Sequence, residues 1–178
     1  MNISLNGGYA VTHFQHTDRA ALIANLQDGL VQPWTLLIAH PYTEQHADEW
    51  LAIAVPDAIP SGLHRTWAIR DIDGCQIGGI GFHAATKDHE HAAELGYWLA
   101  SSHWGRGIMT QAVAAVCHHG FAQLGLARIT AAIFCGNTGS ARVLEKCGFA
   151  LEAVLMRKVY RKHSRFIDAS LYAKTADD

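Results

Sequence analysis

Apolar and polar positions change their period along the chain, and each change marks an element. Weak alternation over Tyr9–Phe14 predicts a first strand. Thr17 and Asp18 stand where a helix cap belongs, and Ala21, Leu22 and Leu26 then share one face of a helix running to about Asp28. After Pro33 and Pro41, Thr43-x-x-His46 opens a second helix to about Val55, with Trp50 and Leu51 facing inward. Pro56 to Gly62 is a loop.

Strand periods follow. His64–Asp71 and Cys75–Ala84 are joined by Asp71-Ile72-Asp73-Gly74, a hairpin signal. Lys87–His91 is a polar turn, and Ala93–Leu99 completes an antiparallel meander. Over Gly107–Leu124, Met109, Val113, Val116, Gly120, Phe121 and Leu124 recur at helical spacing, and Gly125 ends the helix. Ala127–Phe134 is a strand, Thr138–Cys147 a helix closed by Gly148, and Phe149–Tyr160 and Phe166–Lys174 are two last strands. The order β-α-α-β-β-β-α-β-α-β-β predicts an α+β fold of one domain over residues 1–178. It has a mixed central sheet of about seven strands and one parallel crossover.

Composition narrows the chemistry. With 49 % hydrophobic residues the 178-residue chain can bury a core, so disorder and fibrous structure are excluded for the whole chain. Fourteen basic and sixteen acidic residues leave a net charge of −2, which gives no global field for nucleic acid or an anionic membrane. Any anion must therefore be held locally. No apolar run approaches the ~18 residues of a membrane span, and the start lacks the basic flank and apolar run of a signal peptide. Cys75, Cys117, Cys135 and Cys147 stand alone, so a reduced, cytoplasmic setting is expected. The twelve histidines are scattered, and no metal site is expected.

A local anion site lies where the strand ending at Leu99 runs through Gly105 and Gly107 into a helix. Glycines let the backbone approach a ligand, and the first N–H groups of a helix point outward with the positive end of its dipole. A pyrophosphate is the expected guest. The P-loop pattern is absent, and a dinucleotide fingerprint fails because Thr110 stands at its third glycine. A coenzyme A pyrophosphate loop is the remaining reading.

The stretch Gly96-Tyr-Trp-Leu99 followed by Trp104-Gly-Arg-Gly-Ile-Met-Thr-Gln-Ala112 resembles the GNAT superfamily of acetyl-CoA-dependent N-acetyltransferases, in the RimJ/RimL-like branch. Asn137-x-x-Ser140-x-Arg-Val-Leu-Glu-Lys-Cys-Gly-Phe149 and Asp168-Ala-Ser-Leu-Tyr-Ala173 agree in order and spacing. Ser102 departs from the Gln or Arg that opens the family's loop motif. The resemblance implies a GNAT fold, acetyl-CoA as cosubstrate, and a primary amine as acceptor. That amine is a protein N-terminus or a small molecule. It requires no metal and admits a homodimer. A non-catalytic acyl-CoA-binding module is the alternative.

Residue roles follow from this resemblance together with the chain's own pattern. Backbone N–H groups from Gly105, Arg106, Gly107, Ile108 and Met109 would hold the pyrophosphate, and the Arg106 side chain could meet a coenzyme phosphate. Gly96 inside a strand suggests a bulge or a close ligand approach. The backbone of Tyr97, Trp98 and Leu99 would pair with the pantetheine arm, with an N–H near Leu99 as oxyanion donor. Asn137 fits a helix cap and, by resemblance, a coenzyme contact. Ser140 is the implied acid for the departing thiolate, because Leu144 occupies the position where many relatives carry Tyr. Glu94 is the general-base candidate; a solvated strand-end carboxylate is the alternative. The branch's further catalytic Glu corresponds to Val159. Arg157, Lys158, Arg161, Lys162 and Arg165 form a basic cluster around the last turn.

Overall fold

The computed structural model describes residues 1–55, 65–84 and 91–177. The loop expected at Pro56–Gly62 lies outside the described residues, as does most of the turn expected at Lys87–His91. Among the described residues eight strands and four α-helices follow one another as β1 Asn2–Ser4, β2 Ala10–Thr12, α1 Arg19–Leu26, α2 Glu44–Ala54, β3 Arg65–Arg70, β4 Gln76–Ala84, β5 Ala92–Leu99, α3 Ile108–Leu124, β6 Arg128–Phe134, α4 Thr138–Lys146, β7 Ala150–Lys162 and β8 Arg165–Thr175. They form one sheet in the order β1-β2-β3-β4-β5-β6-β8-β7. All neighbours are antiparallel except β5 and β6, whose connection through α3 is the expected crossover.

The extra strand is β1. Its three residues carry one partly buried apolar side chain, Ile3, too short a run for a period to be visible, and pairing with β2 makes it a strand. The other elements lie where the pattern puts them, within a few residues at their ends. The hairpin turn is held by the Asp71 carboxylate, which accepts from the N–H groups of Asp73 (3.0 Å) and Cys75 (2.8 Å).

Strand alternation divides the core between the two faces of the sheet. On one face Leu95 and Leu99 of β5, with Ile129 and Ala131 of β6, pack against α3 and α4 through Met109, Val113, Val116 and Leu144. On the other, Phe14, Ala68 and Trp98 pack against Leu22 and Leu26 of α1 and Ala47 and Leu51 of α2. Thr43 caps α2 as expected: its Oγ1 accepts from His46 N–H at 3.3 Å, and His46 Nδ1 faces Thr43 N–H at 3.1 Å. Asp18 does something else. It occupies the cap position of α1, but its buried carboxylate pairs with Arg70 at 2.7 and 2.9 Å and accepts from Gln15 N–H. A buried aspartate needs a cation more than a helix needs a cap, since an unpaired buried charge costs several kcal/mol, against about 1 kcal/mol for a cap.

Candidate active site

The sheet opens at its centre. Parallel pairing between β5 and β6 is confined to Ala92, Ala93 and Glu94 against Arg128, Ile129 and Thr130. Beyond it β5 continues to Leu99 and β6 to Phe134 without contact as strands. Ala100 N–H donates back to Ile77 of β4 at 2.9 Å. Counting back from that bond, strand alternation turns the N–H groups of Tyr97 and Leu99 away from β4 and into the opening. The sequence-predicted backbone donors thus line an unfilled edge. Trp98 has its N–H on the β4 side, and its indole lies across Gly79 against the α1–α2 core, so its role is packing.

The loop after β5 supplies the expected anion cradle. Gly105 and Gly107 have φ of 76° and 74°, and a Cβ built on either would meet nothing within 4 Å. Their positive φ is the conformational reason for glycine here, and the empty space above them is what a ligand needs. None of the N–H groups from Gly105 to Thr110 donates to a backbone acceptor among the described residues; the first that does is Gln111, to Gly107. Ile108 and Met109 bury their side chains in the core, so their N–H groups point from a fixed helix end. Arg106 is exposed beside them. The Trp104 indole N–H donates to the Leu99 carbonyl at 2.7 Å, fixing the loop against the strand end.

Asn137 and Ser140 lie at the start of α4. Asn137 Oδ1 accepts from Ser140 N–H at 3.0 Å, the cap expected from sequence. Ser140 Oγ lies 2.6 Å from the Tyr97 phenol oxygen. A cleft of about 100 Å³ opens beside Asn137, between the end of β6, α4 and β8. Burial pushes the Tyr97 phenol well above the ordinary tyrosine range, and the Ser140 hydrogen bond opposes that shift only in part.

On the opposite face of the sheet Glu94 is exposed, and Tyr160 of β7 donates to its Oε1 at 3.3 Å. The Tyr160 ring rests against Phe134, with ring centroids 5.8 Å apart. Burial pushes the Tyr160 phenol up to about 12, with the Glu94 charge adding to the shift. Gly96 lies in unbroken register with Gly81, so there is no bulge. Its missing side chain has another cause: a Cβ there would come within 2.6 Å of His83 Nε2. The imidazole from β4 lies over Gly96, beside Glu94.

Glu94 and Ser140 therefore approach the same opening from opposite faces. Tyr97, Asn137 and Ser140 are brought together by hydrogen bonds, while Trp98 is drawn away into packing. The sequence reading did not single out Tyr160 or His83. Nothing in a run of alternating residues says which strand faces β5 across the sheet; only the order β5-β6-β8-β7 brings Tyr160 to Glu94.

Residues 10–150 match the family model described as an acetyltransferase (GNAT) domain. The chain is 38 % identical over 108 residues to an uncharacterized N-acetyltransferase, YoaA, of Bacillus subtilis, covering 60 % of each chain. It is 40 % identical over 86 residues to the ribosomal-protein-serine acetyltransferase of Escherichia coli, covering 48 % of this chain and 47 % of that one. These matches span about half to three-fifths of each relative's length. The solved structure of RimJ from Mycobacterium smegmatis in complex with CoA-disulfide superposes with a TM-score of 0.83 at 27 % identity, over 99 % of this chain and 87 % of that one. With its splayed central strands, its glycine-bent anion loop and a domain match over most of its length, the chain belongs to the GNAT acetyltransferase family.

Proposed function

We propose that the protein is an N-acetyltransferase that moves an acetyl group from acetyl-CoA directly to a primary amine. The observation that carries this reading is the β5–β6 opening, with the N–H groups of Tyr97 and Leu99 facing it and the unfilled N–H groups of Gly105–Thr110 at its mouth. An extended pantetheine arm fits the first as an added strand, and a pyrophosphate fits the second. The free space over Gly105 and Gly107 is consistent with that occupant.

Bound this way, the thioester lies between Glu94 on one face and Ser140 on the other. Most amines are protonated near neutral pH, and only the free base attacks. Glu94 takes the proton, directly or through a water. The amine nitrogen forms a bond to the thioester carbon, and the Leu99 N–H donates to the oxygen as it gains charge. The tetrahedral intermediate passes its second nitrogen proton to water and then collapses. The C–S bond breaks, its electron pair stays on sulfur, and Ser140 donates a hydrogen bond to that sulfur. No cysteine is needed as an acyl carrier.

The acceptor is a protein N-terminal amine or a small-molecule amine. The first is supported by the ribosomal-protein relative. Acetyl-CoA supplied with a panel of peptides and small amines tests the reading, with free thiol release and intact mass as readouts. Thiol release that depends on one acceptor class is the expected result. Coenzyme binding without transfer to any of them would leave a binding module instead.

A further inference from the structure

Ser140 belongs to α4 and Tyr97 to β5, on either side of the opening between β5 and β6, and their hydroxyl oxygens meet at 2.6 Å. A hydroxyl has one proton to give and two lone pairs, so the pair has two arrangements. In one, Ser140 donates to Tyr97, and the phenol proton is left with the Ser140 carbonyl at 3.4 Å, near the limit of a hydrogen bond. In the other, Tyr97 donates to Ser140 Oγ through the short contact, and the Ser140 proton is left over. The first arrangement consumes the proton that a departing sulfur needs. The second presents it.

We propose that Tyr97 is a positioning residue for acyl transfer: its phenol donates to Ser140 Oγ and thereby directs the Ser140 O–H at the coenzyme sulfur. The inference rests on the acetyl-transfer reading above. Both partners are held. The Asn137 cap fixes Ser140 in the first turn of α4, and the Tyr97 ring packs against the core beneath α3 and α4. Negative charge on sulfur selects the second arrangement, so the pair tightens as the C–S bond breaks and costs no reorganisation of the fold.

Neither hydroxyl gives up its proton outright. Serine is far too weak an acid, and burial pushes the Tyr97 phenol above its ordinary value. The sulfur therefore leaves as a thiolate under a hydrogen bond from Ser140, and it takes its proton from water after leaving the site. Tyr97 polarises the Ser140 hydroxyl and keeps its own proton throughout.

Single-turnover rates for wild type, Ser140→Ala, Tyr97→Phe and the double variant test this, each normalised to coenzyme-binding sites counted by calorimetry. Phenylalanine keeps the ring volume, and the normalisation removes any loss of folded protein. Ser140→Ala should lose roughly 10- to 100-fold in rate, and Tyr97→Phe about tenfold, the worth of one hydrogen bond between neutral groups. Coenzyme affinity should stay within about twofold in both, because the interaction forms mainly in the transition state. The double variant should be no slower than Ser140→Ala, since Tyr97 acts only through Ser140. A deficient Ser140→Ala beside a wild-type Tyr97→Phe overturns the Tyr97 role and leaves the Ser140 role standing. Losses that multiply in the double variant also overturn it, and make the contact a tie between α4 and β5. A wild-type Ser140→Ala removes both roles.

Discussion

The Tyr160 phenol donates to Glu94 Oε1 and so joins β7 to a strand three places away in the sheet, across β6 and β8. An exposed glutamate has three rotatable bonds and seldom holds one place. Here one carboxylate oxygen is engaged, and the donor's ring is braced by Phe134. Tyr160→Phe keeps the ring contact and releases Glu94. The expected loss is about three- to tenfold in kcat, the worth of one exposed orienting hydrogen bond, with coenzyme affinity unchanged. Steady-state kinetics on a confirmed acceptor decide it, and unchanged kcat would mean that Glu94 needs no orientation from β7.

Glu94→Gln removes the proton acceptor and keeps the shape. A positioned general base contributes about 10²- to 10⁴-fold, so kcat should drop by roughly a hundredfold or more, and calorimetric acetyl-CoA binding should hardly change. An unchanged kcat would mean that the proton leaves through a water chain or through another group. His83 would then be the next to replace, because its ring lies over Gly96 beside Glu94.

At the anion loop the conformational and steric costs of substitution can be separated. Gly107 is left-handed at φ 74° and has open space where a Cβ would go. Asparagine tolerates that conformation better than most residues, so Gly107→Asn should fold and lose only a few-fold in acetyl-CoA affinity. Gly107→Glu adds bulk and negative charge at the dipole's positive end and should lose at least about tenfold. Equal affinities in the two variants would move the pyrophosphate away from this loop.

These relationships differ in how much of them a sequence can carry. Gly105, Gly107 and the helix after them are local, so spacing alone locates the anion cradle. The Asn137 cap on Ser140 is local too, three residues apart. The Tyr97–Ser140 contact spans 43 positions and the Tyr160–Glu94 contact 66, and neither hydroxyl leaves a mark on periodicity. Asp18 shows the converse error. Its local preference for a helix cap was legible, but its partner Arg70 lies 52 residues away and outcompetes the cap. From sequence, Gly96 suggests a bulge or a ligand approach; the β4–β5 register removes the bulge and reveals a histidine of the neighbouring strand over it.

The same burial that shapes the site fixes an alkaline limit to stability. The Cys117 thiol, on the buried face of α3, is pushed up from 9.0 to about 12, and the Tyr97 phenol is raised from 10.0, in each case chiefly by desolvation. Both groups are neutral when protonated, so the folded chain holds these protons after the unfolded chain has lost them. Stability from this source is complete below about pH 9. It falls as pH rises, first through Cys117 and then, above pH 10, through Tyr97 as well. While one such group titrates only in the unfolded state, the loss is about 1.4 kcal/mol per pH unit. Urea unfolding at half-unit steps from pH 8 to 11 should show a curve that bends downward near pH 9 and steepens past 10. Cys117→Ala leaves a small cavity and starts lower, but its curve should stay flatter between pH 9 and 10. A wild-type curve that is flat to pH 10.5 would mean that the unfolded state, too, shields these groups.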